Sequence, residues 1–217
     1  MILIPVKNLS TAKQRLASLL SQSTRTELAQ AMLLDVLDAL AAWANCPEVS
    51  IVTGDPFARD IARRFDFEVI PDNANRSETD AIETATRVCE DRGVDYTLVI
   101  PADIPLIEAS ELEKILEAAP ERGSVLAPAA DGRGTNAAFR RPAGLFPLRF
   151  GNDSFKPHLA VARATGQPCA VVSLPRIALD IDNPSDLRQL AEADGETRAQ
   201  RMARQWDLSN LPLAANE

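Results

Sequence analysis

An aspartate that follows an apolar run is the first residue whose position suggests chemistry. The run begins at Tyr96 and is typical of a strand buried on both faces of a parallel sheet, and Asp103 follows it between two prolines. Ligands of open α/β sheets collect at the carboxyl ends of the strands, where a carboxylate is a candidate ligand for a divalent cation. The alternative is that Asp103 caps the helix beginning near Ala109, but Ser110 is the better candidate for that cap.

Two more carboxylates, Asp180 and Asp182, end a second predicted strand, Ile177–Ile181. Alternate residues of a strand face the same side, so we expect these two to share a face. If the two strands are neighbours, Asp103 converges with them on one hard cation, Mg²⁺, which two carboxylates and nucleotide phosphates commonly hold. The alternatives are that Asp182 caps the next helix and that Asp180 is structural.

Three cations, Lys7, Lys13 and Arg15, follow the first predicted strand, Met1–Val6. An α/β sheet presents groups to a triphosphate from this position, although the sequence has no G-x-x-x-x-G-K-[ST] loop. These side chains are therefore candidate phosphate ligands. The alternative is a solvated helix face.

Two other segments could bind an anion. The first is a glycine-bearing turn that ends in Gly134 and Thr135, and the second is a helix N-terminus with Gly151 and Ser154. The ordinary alternatives are a hairpin turn and an N-cap. The only histidine, His158, follows in the same helix, where a packing role competes with a catalytic one.

Composition excludes several classes of protein. The net charge of −8 argues against a nucleic-acid-binding surface, and no apolar run is long enough to span a bilayer. One histidine excludes histidine-rich zinc sites and leaves little room for a Ser-His-Asp triad. The three scattered cysteines and the absence of a visible signal peptide predict a cytoplasmic protein.

The order of predicted elements indicates a single α/β domain with a Rossmann-like mixed sheet. Strands and helices alternate through the first half, which predicts parallel pairing, and a turn replaces the crossover helix between two later strands. We expect residues 1–193 to form the domain and residues 194–217 to form a polar tail, frayed or packed on a second copy in a homodimer. The predicted strands are 1–6, 49–53, 67–70, 96–100, 124–128, 136–140, 169–173 and 177–181.

Several short motifs, taken together and in order, resemble the CofC/FbiD family of guanylyltransferases of coenzyme F-420 biosynthesis. The resemblance covers roughly residues 1–190 and implies a fold like that of the glycosyltransferase-A-type nucleotidyltransferases. The motifs are Ile4-Pro-Val-Lys7 with Ala12-Lys13-Gln-Arg15-Leu16, Ala31-Met-Leu-Leu-Asp35, Pro101-Ala-Asp103-Ile-Pro105, Gly134-Thr135-Asn136-Ala137, Phe150-Gly151-Asn-Asp-Ser154-Phe155 and Leu179-Asp180-Ile-Asp182-Asn-Pro-Ser-Asp186.

The resemblance implies transfer of GMP from GTP to a phosphorylated three-carbon acid, with release of pyrophosphate to solution and of the product to the next pathway enzyme. The acid is 2-phospho-L-lactate, phosphoenolpyruvate or 3-phospho-D-glycerate, depending on the family member. The implied roles are phosphate contacts by Lys7, Lys13 and Arg15, magnesium binding by Asp103 and Asp182, and acid binding by Thr135, Gly151 and Ser154.

One segment departs from the family pattern. Where members commonly have Gly-Leu-Asn-Ala, this chain has Glu78-Thr79-Asp80-Ala81. Asp80 could accept hydrogen bonds from guanine, or Glu78 and Asp80 could only place favourable charge in the first turn of a helix. Two other functions stay open: a nucleotidyltransferase that uses CTP or ATP on a sugar or cofactor phosphate, and a nucleotide-sensing scaffold without turnover.

Overall fold

A mixed sheet forms the centre of the molecule. The computed structural model describes residues 1–74, 76–151 and 153–206; Asn75 of the predicted loop, Asn152 of the predicted helix start and residues 207–217 of the predicted tail lie outside them. The strands in this part of the chain are β1 Ile2–Val6, β2 Val49–Thr53, β3 Glu68–Pro71, β4 Thr97–Val99, β5 Gly123–Pro128, β6 Thr135–Arg141 and β7 Cys169–Val171.

The strand order explains how the two halves of the chain join. Within the described residues the seven strands form one sheet in the order β3-β2-β1-β4-β6-β5-β7. Pairs β1–β2, β1–β4, β2–β3 and β5–β7 are parallel, whereas β6 is antiparallel to both β4 and β5. The antiparallel pairing of β5 and β6 follows from the short loop at residues 129–134, because a loop of this length reverses the chain where a helix would carry it across the sheet. The predicted mixed α/β sheet is confirmed.

Helices cover both faces of this sheet. No helix in the described ranges is long and apolar enough to cross a membrane. The helices are α1 Gln22–Ala41, α2 Pro56–Arg64, α3 Glu78–Asp91, α4 Ala109–Glu117, α5 Phe155–Ala164, α6 Pro175–Ala178, α7 Pro184–Glu192 and α8 Arg198–Ala203, and two single 3₁₀ turns lie at Leu9–Thr11 and Gln14–Leu16.

The helix starts test the predicted caps. The sequence predicts a helix from Glu78 to Arg92 with Ser77 as its cap. Ser77 does cap α3, accepting a hydrogen bond from the Asp80 amide.

Thr24, with Glu27 three residues later, is the capping box that the sequence predicts for α1. The helix instead begins one turn earlier, because Ser21 is its cap and accepts from the Thr24 amide at 3.2 Å. The predicted cap by Ser110 is also wrong, since the N-cap of α4 is Glu108.

The predicted strand Ile177–Ile181 is wrong, because this segment begins as helix α6 and continues as irregular backbone. Pro175 supplies the fixed φ of a helix start. The carboxylate of Glu111, which is buried on α4, accepts hydrogen bonds from the amides of Arg176 at 3.2 Å and Ile177 at 2.8 Å. A cap contributed by another helix therefore overrides the local strand propensity.

The core has two layers because β1 is buried on both faces. Ile2 and Ile4 pack into a cluster with α1, α2, α4, α7 and α8, while Leu3 packs into a second cluster with α3 and α5. All five residues of β1 are buried. This double burial matches the unbroken apolar run in the sequence. The parallel pairing of β1 with β2 and β4 places the carboxyl ends of these strands at one edge of the sheet.

The predicted tail is not separate from the domain where the structure describes it. Helix α8 packs on α1 and α7 of the same chain, with Ala199 and Ala203 fully buried. The buried carboxylate of Asp35 on α1 accepts from the amides of Arg198 and Ala199, both at 2.9 Å, and so caps α8 together with its N-cap residue Thr197. Residues 198–203 are therefore packed on their own chain and not frayed, and the predicted packing on a second copy stays a prediction.

Candidate active site

A lysine bridges two of the predicted metal-binding aspartates. Lys13 Nζ lies 2.5 Å from Asp103 Oδ2 and 3.0 Å from Asp182 Oδ1, and Arg15 Nη1 lies 3.0 Å from Asp182 Oδ2. The Lys13 side chain is only 7% exposed, whereas Arg15 is mostly exposed. Four of the predicted site residues, from three distant parts of the sequence, therefore form one ion-pair network.

The loop after β1 holds Lys13 in place. The backbone of Lys13 is left-handed, with φ of 56°, between the two 3₁₀ turns. A non-glycine residue in this region is disfavoured by about 1–2 kcal/mol, so the surroundings must stabilise it. Asp55, the N-cap of α2, accepts from the Leu9 amide at 3.0 Å and ties this loop to the end of β2.

A backbone hydrogen bond places the two aspartates side by side. The Ile181 amide donates to the Asp103 carbonyl at 3.1 Å, which joins the segment after β4 to the segment before α7. The cap of α7 is Asn183, in a capping box with Asp186, so the alternative that Asp182 caps this helix is wrong. The Asp182 carboxylate is thus available to Lys13 and Arg15.

The charges of this network depend on one another. Burial alone would lower the pKa of Lys13, but the carboxylates of Asp103 and Asp182 raise it above its ordinary value. Burial tends to raise the pKa of Asp182, while Lys13 and Arg15 lower it below its usual range. Lys13 is therefore a fixed ammonium and Asp182 a fixed carboxylate at neutral pH.

The donor set of this network fits a hard divalent cation that takes its remaining ligands from a substrate. Asp103 and Asp182 direct one oxygen each at a common positive charge, and Mg²⁺ in nucleotide enzymes is commonly bound by one or two carboxylates plus phosphates. Across the described residues, no group of three or more His, Cys, Asp or Glu side chains is arranged to hold a metal ion by itself.

Lys7 lines the first of two cavities that meet at the network. This cavity has a volume of 410 Å³ and lies beneath the loop after β1, with Lys7, Lys13 and Arg15 in its wall. Lys7 Nζ lies 2.5 Å from Asp72 Oδ2, and the Asp72 side chain is 5% exposed. All three predicted phosphate ligands therefore face one cavity large enough for part of a nucleotide.

The second cavity contains the predicted acid-binding residues. It has a volume of 630 Å³, shares Asp103 and Asp182 with the first, and is lined by Thr135, Gly151 and Ser154. Thr135 and Ser154 are buried, and Ser154 Oγ donates to Thr135 Oγ1 at 3.3 Å. The Ser154 hydroxyl thus contacts Thr135 of β6 rather than capping α5, as the alternative would require.

Asp180 faces the second cavity but takes a different partner from the other two aspartates. Asn136 Nδ2 donates to Asp180 Oδ1 at 2.9 Å and also to the carbonyls of Ile177 and Ala178. Burial, together with the neighbouring Asp103 and Asp182, raises the pKa of Asp180 to about 6. The structure therefore separates Asp180 from the pair that Lys13 bridges.

The segment that departs from the family pattern contributes Glu78, at the junction of the cavities. Glu78 lines both cavities, and burial together with Asp103 raises its pKa to about 7. Asp80 is not among the lining residues of either cavity in the described ranges, and it lies 3.7 Å from Arg76. Its predicted contact with guanine stays a prediction.

Sequence reasoning missed three polar residues that support the site. Asp72 pairs with Lys7, Asp55 fixes the Lys13 loop, and Asn136 holds Asp180. Each follows or starts a strand at the same edge of the sheet. That position is the signal that could have found them, because ligand-binding groups collect there.

The fold is shared with nucleotide-handling transferases of known structure. A structure from Desulfovibrio desulfuricans assigned as a nucleotide-diphospho-sugar transferase aligns with a TM-score of 0.76 at 19% identity, covering 94% of this chain and 93% of that one. A nucleotidyl transferase from Methanothermobacter thermautotrophicus aligns with a TM-score of 0.59 at 18% identity, covering 94% and 97%. The fold is thus that of a nucleotidyltransferase-like α/β domain.

Sequence similarity places the chain within one family of that fold. Residues 1–212 match the family described as "Guanylyl transferase CofC like", and the chain belongs to this family. It is 38% identical to a phosphoenolpyruvate guanylyltransferase from Sphaerobacter thermophilus, over 87% of this chain and 90% of that protein. It is also 32% identical to a 2-phospho-L-lactate guanylyltransferase from Methanothermobacter thermautotrophicus (99% and 94% covered) and 34% identical to a 3-phospho-D-glycerate guanylyltransferase from Colwellia psychrerythraea (88% and 90% covered).

Proposed function

We propose that this protein transfers GMP from GTP to a phosphorylated three-carbon acid and releases pyrophosphate, as a step of coenzyme F-420 biosynthesis. The observation that carries the proposal is the position of Asp103 and Asp182. Both carboxylates contact the ammonium of Lys13 at the point where the cavity lined by cationic side chains meets the cavity lined by hydroxyls. The relatives named above act on phosphoenolpyruvate, 2-phospho-L-lactate and 3-phospho-D-glycerate, which supports an acid of this class.

Each of the two cavities binds one of the two substrates. GTP phosphates bind along Lys7, Lys13 and Arg15 in the first cavity, whose positive side chains compensate a polyanion in a protein of net charge −8. The acid binds in the second cavity, where the Thr135 hydroxyl and the backbone at Gly151 offer donors to its oxygens and where Ser154 holds the Thr135 hydroxyl by donating to its oxygen. The junction of the cavities brings both substrates to the same carboxylate pair.

The reaction needs positioning more than proton transfer. A phosphate oxygen of the acid attacks the α-phosphorus of GTP, a new P–O–P bond forms, and the bond to the β-phosphate bridging oxygen breaks to release pyrophosphate. The attacking phosphate is mostly dianionic at pH 7, because its second pKa is about 6, so no general base is required. In-line alignment and charge neutralisation by Lys7, Lys13 and Arg15 therefore supply the catalysis.

Asp103 and Asp182 would hold Mg²⁺, which when bound supplies charge neutralisation and orientation at the phosphates. An uncompensated unit charge at 4 Å costs about 4 kcal/mol at an effective dielectric of about 20, so this neutralisation is large on the scale of a reaction barrier. The carboxylates themselves orient Lys13.

The direct test combines each nucleotide with each acid. The protein is incubated with magnesium, one of GTP, CTP or ATP, and one of the three acids or a sugar phosphate. The next pathway enzyme is present to trap an unstable product, and the product is detected by mass. We expect GTP to give the guanylylated acid. Turnover with CTP or ATP on a sugar phosphate, or no turnover with any pair, would overturn the proposal.

The acid site can be tested separately with Ser154→Ala. We expect the KM for the acid to rise about tenfold and the KM for GTP to change less than twofold, since Ser154 holds the Thr135 hydroxyl that donates to the acid and one hydrogen bond to a charged group contributes about 1.5 kcal/mol. Ser110→Ala on α4, a serine outside the linings of both cavities in the described ranges, is the control. An unchanged acid KM in Ser154→Ala would remove Ser154 from the site.

A further inference from the structure

The single histidine is buried directly behind the acid-binding hydroxyls. His158 is 1% exposed on α5, with its Nδ1 2.9 Å from Thr135 Oγ1 and its Nε2 2.7 Å from the Arg149 backbone nitrogen. The ring of Phe150 meets the imidazole edge-on, with centroids 5.2 Å apart. Both ring nitrogens therefore have a partner, and these two contacts together with the Phe150 ring fix the orientation of the imidazole.

The two partners determine which nitrogen carries the proton. The Arg149 amide can only donate, so Nε2 must be the acceptor, and the proton of a neutral ring then lies on Nδ1. Burial and the positive charge of Arg140 lower the pKa of His158 to about 4, so the ring is neutral at physiological pH. Nδ1–H consequently donates to the Thr135 hydroxyl oxygen.

The direction of this hydrogen bond determines what Thr135 can do. Its oxygen accepts from His158 Nδ1–H and from the Ser154 hydroxyl, and these two bonds use its acceptor capacity. The hydrogen of Thr135 is then left as a donor in the lining of the 630 Å³ cavity. A hydroxyl that is held as a donor binds an anionic oxygen better than one that is free to rotate.

We propose that His158 is a positioning residue that fixes the Thr135 hydroxyl as a hydrogen-bond donor to a carboxylate or phosphate oxygen of the acid substrate. The inference rests on the proposed function, because it deepens the role of the acid-binding cavity. His158 itself acts through Thr135 and stays behind it, which explains why a buried neutral imidazole lies next to a site whose chemistry needs no general base.

A spectroscopic test addresses the hydrogen-bond direction without substrates. In ¹⁵N-labelled protein the only imidazole gives one pair of ring nitrogen signals in a long-range ¹H–¹⁵N spectrum. We expect Nδ1 to be protonated and Nε2 to be unprotonated at pH 7, with no titration above pH 5. An Nε2-protonated ring, or a ring that is cationic at pH 7, would overturn the proposal.

A matched pair of variants tests the effect on binding. His158→Asn and His158→Leu are close in size and both lose the acceptor for the Arg149 amide, but only asparagine keeps a donor near the Nδ1 position. We expect the KM for the acid to rise about tenfold in His158→Leu and less than threefold in His158→Asn, with the KM for GTP and kcat unchanged in both. Thermal unfolding of both variants verifies that they are equally folded.

Thr135→Val separates this inference from the proposed function. If Thr135→Val leaves the KM for the acid unchanged, the proposed acid site is wrong. If Thr135→Val raises it about tenfold while His158→Leu and His158→Asn behave alike, the acid site stands and the positioning role of His158 is wrong. If the KM for the acid rises about tenfold in Thr135→Val and in His158→Leu but less than threefold in His158→Asn, the result supports both the acid site and the positioning role of His158.

Discussion

Asp103 shows how one residue serves two purposes in this protein. Its side chain accepts from the buried ammonium of Lys13, and its main-chain carbonyl accepts from Ile181. The carboxylate is also part of the wall of both cavities. The backbone contact joins the two segments even when the side chain is changed, which makes the chemistry of the carboxylate separable from its structural role.

Asp103→Asn should therefore abolish GMP transfer while leaving the fold intact. We expect turnover to fall at least about 100-fold, since the variant removes a charge from the transition-state environment. The variant should still unfold cooperatively, because Asp182 continues to pair with Lys13 and the backbone bond from Ile181 to Asp103 remains. Asp60→Asn on α2, whose carboxylate pairs with Arg63 in solvent, is the matched control with normal turnover. Near-normal turnover in Asp103→Asn would contradict the assignment of Asp103 as a catalytic residue.

His158 should also leave a signature in the pH dependence of stability. Its pKa is lowered from 6.5 to about 4 in the folded protein, so below pH 6.5 the unfolded chain binds a proton that the folded chain excludes. Stability from the neutral ring is present above pH 6.5 and is lost as the pH falls towards 4. Between pH 7 and 5 this loss amounts to about 2 kcal/mol.

His158→Asn removes this titration. Urea unfolding at pH 7, 6 and 5 should show that the free energy of unfolding falls about 2 kcal/mol less for His158→Asn than for the wild type. Parallel curves for the two proteins would show that the imidazole is not held neutral by its surroundings.

The sequence identified the charged residues of the site but not their partners. Asp103 could be found because it follows a strand, and that signal is local. Lys13 bridging Asp103 and Asp182 could not, because the three lie in segments that only the sheet brings together. The ring nitrogen of His158 that carries the proton is determined by the Arg149 amide, and no pattern of side chains in the sequence encodes the direction of that backbone group.

At the scale of elements, α8 shows that a polar segment can still be part of the domain. Its N-terminus is capped by Asp35 of α1, across a sequence separation of 163 residues, and its alanines pack between α1 and α7. Composition predicted a tail because charged residues dominate the surface of α8. The buried carboxylate of Asp35 explains why that short helix nonetheless docks.

Asp35→Asn should release α8. An ionised carboxylate that accepts two backbone hydrogen bonds contributes more than a neutral amide, so we expect the free energy of unfolding to fall by about 2 kcal/mol. Asp38→Asn is the control, since Asp38 pairs with the same Arg198 at the surface and should cost about 0.5 kcal/mol or less. Equal losses in urea unfolding of the two variants would show that Asp35 does not cap α8 in solution.

The elements that were predicted correctly and those that were not differ in where their determinants lie. Strand β1 and helix α3 follow from their own residues, a doubly buried apolar run and the Ser77 cap. Helix α6 depends on Glu111 of α4. Local patterns therefore predict an element well until another part of the chain supplies the cap or the partner.

At the scale of the whole molecule, the mixed sheet gathers the site from both halves of the chain. The parallel half contributes Lys7, Lys13 and Asp103, and the antiparallel half contributes Thr135 and the segments around Ser154 and Asp182. The two cavities meet at the carboxyl edge of the strands. The fold thus keeps the two proposed substrates on separate surfaces until their reacting groups meet.

The ammonium of Lys13 between two carboxylates makes the site resemble an ion exchanger. If Asp103 and Asp182 hold a divalent cation as proposed, that cation would have to displace the ammonium of Lys13, which already pairs with both carboxylates. We expect Lys13→Met to bind Mn²⁺ about fivefold more tightly than the wild type when no nucleotide is present, because the competing charge is gone. Titration calorimetry measures this affinity, and Lys114→Met, an exposed lysine on α4, controls for the change in net charge.

Unchanged Mn²⁺ affinity in Lys13→Met would show that the lysine does not compete for the pair. If it does compete, the wild-type protein holds a divalent cation weakly until phosphates arrive to bind both the metal and the displaced ammonium. Metal binding would then be coupled to nucleotide binding without any conformational change, because the two carboxylates exchange one counter-ion for another only when phosphates are present to bind the displaced ammonium.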